Sequence, residues 1–529
     1  MRAIALGCLL ALPAWADVLL KRGPSEVGGV TTNLGPVTSI ACAGGVSCSR
    51  SGSTGYIFMN GFYEAPAATT FYVDQLGNDN NDCTSTGVAA CLTLQGVYAK
   101  IPFTLRNNVT INISSGAHSF SSRFAGRQFS TSDVAGFASV TVDIVGAALT
   151  DITPATGTAT GTLTGATTGA APLPVFTDST QTWTTNDLRG YFYVATSGAQ
   201  NGTSRPIVSN TGTTITTAPW NTAPISGTTY AIRTPATVIT GSQGITGAYG
   251  EGSISGAFKF RRITFTSSVN SVFTVYAIKN SHTSAIIGLH ESRALHTGTS
   301  NPIAVLSSPP IQGNASSTGG WFYAQSAGSG ASAIAMSDVY GSGITVFAVG
   351  YNSNASLSST VGVIDIRNNS FISMAQAGII GVTAAAAGVP VFIQGTVGDL
   401  AGAVSSTIHA SCPAGSTGTG IYVPKGGFSQ RNVEVVNCGT GVRFGSTNVT
   451  SNAEDGQQIS IFRTSLHCNG TTTCVSIARG NRVVMSIVPT LTGVTNDYNV
   501  DGVNYSESFF GALSIPRIHG ASGSFLERQ

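Results

Sequence analysis

The chain has 529 residues, a formal net charge of +2 and only 9% charged residues, against about 25% in an ordinary soluble domain. With 42% hydrophobic residues and 65 glycines, the composition excludes a disordered, highly charged chain. It fits a β-rich, turn-rich fold of two to four domains or one long solenoid. No basic run is present; without clustered Lys and Arg to grip phosphates, nucleic acid is not an expected partner.

Residues 1–16 have the form of a secretory signal: Arg2, an apolar core from Ile4 to Leu12, and Ala14-Trp15-Ala16 as a small-x-small cleavage site. No later run reaches the ~18 apolar residues of a membrane span. Eight cysteines follow. Cys42 and Cys48, Cys83 and Cys91, and Cys468 and Cys474 are close neighbours, and Cys412 and Cys438 complete an even set. Short spacings and an even number favour disulfides in an oxidising compartment, with the connectivity left open. A zinc site would need CxxC-like or His-bearing clusters, and His467 beside Cys468 is the one hint. Residues 17–70 form a connector. Val37, Ser39 and Ala41, then Val46 and Cys48, suggest a hairpin around Gly44-Gly45.

The stretch from Phe71 to Ser119 reads as strand, loop, helix, strand. Phe71 to Val73 is a short β run, and Asp74 to Thr86 is a Gly/Asn/Asp loop. Leu92, Leu94, Val97, Tyr98 and Ile101 recur at helical spacing until Pro102. Val109, Ile111 and Ile113 then alternate as in a half-buried strand. The segments Tyr72-Val73-Asp74, Gly77-Asn78-Asp79 and Thr93-Leu94-Gln95 resemble the entrance of right-handed parallel β-helix proteins of the pectin-lyase-like superfamily. That resemblance implies an all-β solenoid whose open end is capped by a helix near residues 91–101, with 71–152 as its entrance. Similar folds serve lyases, hydrolases, phage tailspikes and adhesins, so the resemblance speaks to fold before function. The connector, in turn, resembles β-structured segments near the front of phage tail-fibre proteins.

Val140, Val142 and Ile144 give a further alternating strand. The composition then changes, and 153–235 reads as an inserted, small β-barrel-like module. Its strand candidates are Tyr191–Ala195, Arg205–Ser209, Thr213–Thr217 and Thr229–Ile232, separated by Gly- and Asn-rich turns. Trp183 and Trp220 are its candidate sugar-stacking platforms; the plainer reading, that they fill a small core, is preferred. From 236 to 490 apolar pairs recur at Phe258/Phe260, Ile263/Phe265, Ile364/Ile366, Val391/Ile393, Val433/Val435, Ile459/Ile461 and Val483/Met485. Several intervals of 24 to 27 residues predict one solenoid coil each. Val433, Val435, Val442 and Phe444 should point inward, with Asn437 at a turn. The aromatic end, 491–529, reads as a cap or oligomerising segment.

Lyases of this fold use Arg or Lys as base, often with Asp-bound calcium, and hydrolases use paired acids. No dense Asp cluster occurs, so no cofactor is expected unless the protein is a calcium-dependent lyase. Asp365 and Glu434 alternate with inward apolar residues and should point outward. As a pair three coils apart they would lie ~14 Å from each other at ~4.8 Å per stacked strand, beyond the about 5–9.5 Å of glycosidase carboxylates. Arg367, Arg431 and Arg443 are the outward candidates for a lyase base. The expectation is a secreted or virion-surface protein, in the manner of a homotrimeric tailspike or tail fibre, that recognises a polysaccharide or cell surface without cleaving it. A polysaccharide lyase or glycosidase, and a purely structural adhesin, are the alternatives.

Overall fold

The computed structural model describes residues 69–528 except 102–103, 106, 126–127, 130–140, 168–171, 247–255, 270, 277–284, 299–304, 308–310, 313–320, 338–339, 400–406, 426–427, 446–458, 479–481, 486–488, 501–502, 506–516 and 520–524, with four short strands upstream. Among those four, Val46–Ser51 pairs antiparallel with Thr54–Met59. The other half of the expected Gly44-Gly45 hairpin, and a Cys42–Cys48 bridge, lie outside the described residues.

Three parallel ladders build the fold. The first stacks Thr69–Val73, Val109–Ile113, Thr141–Val145, Gly256–Arg261, Ala285–His290 and Ile311–Gln312. The second begins with Gly116–Ser119, Thr237–Thr240, Ile263–Ser267, Ser292–His296 and Phe322–Ser326. The third begins with Ser122–Ala125, Gln243–Thr246, Phe273–Tyr276, Val305–Ser307 and Ile334–Ser337. Later strands bend round the corners. Gly362–Thr383 pairs through Ile364 in the third ladder, through Phe371 with Tyr340, and through Ile379 in the second. Inward apolar residues from Phe71 to Leu526 join in one core. Val433, Val435, Val442 and Phe444 all lie in it at 0% exposure. This is the parallel, all-β stacking that the alternation predicts.

The coil length varies more than the expected 24 to 27. In the third ladder, the stacked residues Ile334, Ile364, Val391, Ile421, Val442, Val475 and Tyr498 are 21 to 33 positions apart. The corners absorb the difference. Between the second and third ladders, Ser267, Ser326, Asn352 and Thr383 each accept the backbone N–H two residues on, a local turn that their short polar side chains close. Asn437, farther along this edge, takes the left-handed conformation (φ 59°) that Asn tolerates. Its N–H donates to the Asn469 carbonyl of the next coil, and a Cβ at Gly470 there would come within 2.6 Å of Asn437 Oδ1.

The entrance motif has a mechanical reading. Asp79 Oδ1 accepts the Leu92 and Thr93 N–H groups, and Oδ2 accepts the Thr93 hydroxyl. Thr93 then caps helix α1 (Leu94–Lys100) by accepting the Gly96 N–H. Leu94, Val97, Tyr98 and Ile101 close the core. Leu92, by contrast, precedes the helix and is 43% exposed. A Cys83–Cys91 disulfide ties the loop, Cys412–Cys438 joins adjacent coils and Cys468–Cys474 spans one corner. Cys468 is therefore unavailable to a metal. At the other end, antiparallel pairs Tyr498↔Tyr505 and Ile518↔Leu526 interrupt the parallel pattern.

The inserted module replaces a very short turn. In the coils that follow it, one left-handed residue, Arg262 or Glu291, separates the first ladder from the second. At the same corner one coil earlier, the chain leaves Val145, builds an antiparallel sheet over Leu149–Pro235 and returns at Thr237. The module has its own core of Phe176, Trp183, Leu188, Tyr193, Ile215 and Tyr230 among others. It packs on the outer face of the second ladder: Leu173, Val208 and Ala218 cover Trp321, Tyr323, Phe347, Val349, Ile380 and Val382. Gly190 (φ +79°) sits against Tyr323, where an added Cβ would meet the ring at 2.5 Å. Gly190→Ala should therefore strain its backbone and push the two surfaces apart, costing about 1–3 kcal/mol. Earlier proteolysis of the module in the variant would check this.

Candidate functional site

The ladders sort the sequence candidates by face. Following the pairing register, the outward row of the third ladder reads Asp365, Phe392, Tyr422, Arg443, Ser476 and Asn499. Arg367, two residues beyond Asp365 on the same strand, joins this row. Three of the five candidate catalytic side chains thus share one surface, although 78 positions separate Asp365 from Arg443. Glu434 does not join them. Its row is the second ladder's, between His409 and His467. Asp365 and Glu434 both point outward, as alternation predicts, but onto different ladders: alternation fixes inward or outward, while corner positions decide which side a residue faces.

Asp365 does leave the core, yet it is 3% exposed. Arg367 closes over it with Nε at 2.6 Å from Oδ1 and an η nitrogen at 2.7 Å from Oδ2, and the Gly362 N–H also reaches Oδ2. Burial outweighs Arg367 and the Gly362 N–H, holding this carboxyl above the usual aspartate range. The Arg367 guanidinium also lies 4.6 Å from the centre of the Phe392 ring. Phe392 packs edge-on to Tyr422, with centroids 5.3 Å apart and planes at 85°. Arg443 approaches the Tyr422 ring at 5.9 Å, and its buried Nε has no hydrogen-bond partner. Phe392 is 7% exposed and Tyr422 half-buried, so the row presents the Tyr422 ring between two guanidinium groups, at ~4.8 Å per coil.

This row can hold rings and hydroxyl groups more readily than it can move protons. Both Asp365 oxygens are engaged, and no second carboxylate stands on the row among its described residues. Glu434 is 5% exposed. It accepts the Leu173 N–H at 3.1 Å and stands 2.7 Å from His409 Nδ1, beneath the module. Among the described residues, no group of three or more His, Cys, Asp or Glu is placed to hold a metal ion. Trp183 is 3% exposed and donates to the Thr158 carbonyl. Trp220 is half-buried, edge-on to Phe176 and Tyr193, with Arg205 over its ring. Both indoles belong to the module's packing. Arg431 lies on Phe428–Val436, but its side chain is outside the described residues.

Sequence reading missed Phe392 and Tyr422. The signal was present: in Val391-Phe392-Ile393 and Ile421-Tyr422-Val423 the aromatic residue occupies the outward phase between two inward apolar residues. The covered strip of the second ladder had a signal too, since Trp321-Phe322-Tyr323-Ala324 and Gly378-Ile379-Ile380-Gly381 have no polar phase. An apolar run without alternation marks a strand covered on both faces.

No protein-family model matches the sequence, and no curated protein matches it. Among solved structures, a glycoside hydrolase aligns with 82% of this chain and 97% of its own, at 10% identity and a TM-score of 0.22. The tailspike gp61 of Pseudomonas phage phi297 aligns with 75% of this chain and 64% of its own, at 10% identity and a TM-score of 0.21. A complex of XylC with xylose covers 80% and 70%, at 10% identity and a TM-score of 0.20. Similarities of this strength carry no argument about function, and the fold rests on the ladders themselves. By their register and the single core they surround, the chain is an all-β protein of the parallel β-helix type.

Proposed function

We propose that the protein recognises an extended polysaccharide laid along the outward row of the third ladder. The observation that carries this reading is the half-buried Tyr422 ring, backed edge-on by the buried Phe392 and standing between the Arg367 and Arg443 guanidinium groups on one outward row. Aromatic groups offer apolar surface to the C–H faces of sugar rings, and guanidinium groups offer planar donors to hydroxyl or acidic oxygens. A rigid ladder repeats these contacts at a fixed step, which suits a polymer better than a compact ligand. Recognition without cleavage is favoured over a lyase or glycosidase because Asp365 is locked by Arg367 and Glu434 lies under the module. Three disulfides support a location outside a reducing cytosol, on a cell or virion surface. Among the described residues no helix is long and apolar enough to cross a membrane.

The test is a panel of capsular, O-antigen and pectic polysaccharides, with and without calcium, followed for binding and for release of reducing or unsaturated ends. Binding without new ends is expected. In Tyr422→Ala, affinity for the bound polysaccharide should fall roughly fivefold, corresponding to about 1 kcal/mol of aromatic contact. Release of ends would replace the recognition reading with the enzymatic one. An unchanged affinity in Tyr422→Ala would move the binding surface away from this row.

A further inference from the structure

The strands upstream of Thr69 form a sheet with one aliphatic face. They pair antiparallel in the order Val18–Leu20, Val30–Asn33, Thr54–Met59, Val46–Ser51. The register places Leu20, Val30, Ile57 and Cys48 in one row across all four strands. Met59 pairs with Val46 two positions along, in the same phase of the alternation. The opposite phase is mixed, with Thr31, Tyr56 and Ser49 in one row and Phe58 beside Ser47 in the next. A sheet face that is aliphatic from edge to edge needs a second layer. Among the described residues upstream of Thr69 there is no further element, and the segment is near the ~40-residue size below which a chain rarely builds a core alone.

The first loop of the solenoid carries a matching surface. Leu76, Val88 and Leu92 are 70%, 74% and 43% exposed, three of the six large hydrophobic residues that stand exposed among the described residues. Their loop is tied from within. The Cys83–Cys91 bridge closes it, Asn81 Nδ2 donates to the Val88 and Ala90 carbonyls at 2.7 and 2.8 Å, and Asp79 accepts the Leu92 N–H. The Asn78 N–H donates to the Ala90 carbonyl, and Gly77 lies so close to the Ala90 and Cys91 carbonyls that no Cβ would fit there. Leu76 and Leu92 therefore flank one backbone contact, with Val88 two positions before Ala90. The loop also lines the outer edge of the first strand, Thr69–Val73: the Tyr72 N–H donates to the Cys83 carbonyl and the Asp74 N–H to the Cys91 carbonyl. The chain reaches this strand from the sheet through residues 60–68, a stretch that spans ~30 Å at most.

We propose that the aliphatic face of the Val18–Met59 sheet docks on the Leu76–Val88–Leu92 shelf of its own chain, making the connector a fixed extension of the solenoid's entrance. The tether decides the occupant. So short a connection holds the sheet beside the shelf at an effective concentration on the order of millimolar, ahead of a second copy in dilute solution. Both surfaces are aliphatic, so water leaves the two together and no charge is buried.

The full mature chain (residue 17 onward) would be compared with the Leu76→Ser/Val88→Ser/Leu92→Ser variant by amide hydrogen exchange, with light scattering for the mass of each. The expected result is slow exchange in Val30–Asn33 and Thr54–Met59 of the wild type, and exchange about tenfold or more faster there in the variant. Exchange in Val109–Ile113 should be the same in both, and so should the mass. Equal exchange of the upstream strands in the two proteins, whether fast or slow, would overturn the proposal. So would a wild-type mass that falls in the variant, which would assign the shelf to a second copy. Should the triple variant also lose protection at Val109–Ile113, Val88→Ser alone, at the most exposed of the three positions, takes its place with the same two readouts.

Discussion

Trp321→Ala is expected to lower the stability of the module-bearing protein by about 3–5 kcal/mol, the usual cost of truncating a buried Trp. Trp321 is 3% exposed although its side chain points away from the solenoid's core. It packs against Phe347 with centroids 5.0 Å apart. Gly378 lies beneath it so closely that an added Cβ would meet the indole at 2.0 Å. The indole thus fills the space between Phe347 and the bare backbone of Gly378, and its removal leaves a cavity there. The loss should fall on the attachment of the module, because the strip joins the two bodies. Guanidinium unfolding followed by emission would read it, with Trp183 and Trp220 inside the module as reporters. The midpoint for the module should drop, while Trp321→Phe, which keeps the ring contact with Phe347, should recover most of the loss. An unchanged midpoint in Trp321→Ala would mean that the strip contributes little and that polar contacts at the two ends hold the module.

Removing the Cys412–Cys438 bridge as a double alanine variant should cost about 3.5 kcal/mol, the chain-entropy value for a loop of this length. The two cysteines are 26 positions apart and both are buried in the solenoid core. Cys468 and Cys474, in the next coil, are only six apart, and the same relation gives about 2 kcal/mol for their removal. The order of the two effects is the sharper expectation, since native strain and residual structure shift the absolute values. Denaturant midpoints of the two double variants, measured without reductant, would check it. Equal losses would show that burial of the sulfur atoms matters more than loop closure. The bridges tie coils or corners where the parallel ladders depend on contacts distant in sequence, so unfolding should begin in that region when they are absent.

The sequence by itself determined the class of fold. Alternation at Val433/Val435 and Val442/Phe444, and at Ile364/Ile366, is a local property, and every such residue lies in the core at 0% exposure. The Asp79–Thr93 cap is local too, made by residues 14 positions apart. Alternation has two outcomes, inward and outward, whereas three stacked ladders have three outer faces. Which face Asp365 or Glu434 occupies depends on where each corner falls, and corners here absorb coil lengths from 21 to 33 residues. Tertiary structure alone therefore aligned the Asp365–Arg367 pair with Phe392, Tyr422 and Arg443. It also placed Glu434 under Leu173, 261 positions away. An outward residue is exposed only if nothing folds back over it, and the covering module is inserted at a distant corner of the chain. No short-range pattern around Glu434 carries that information.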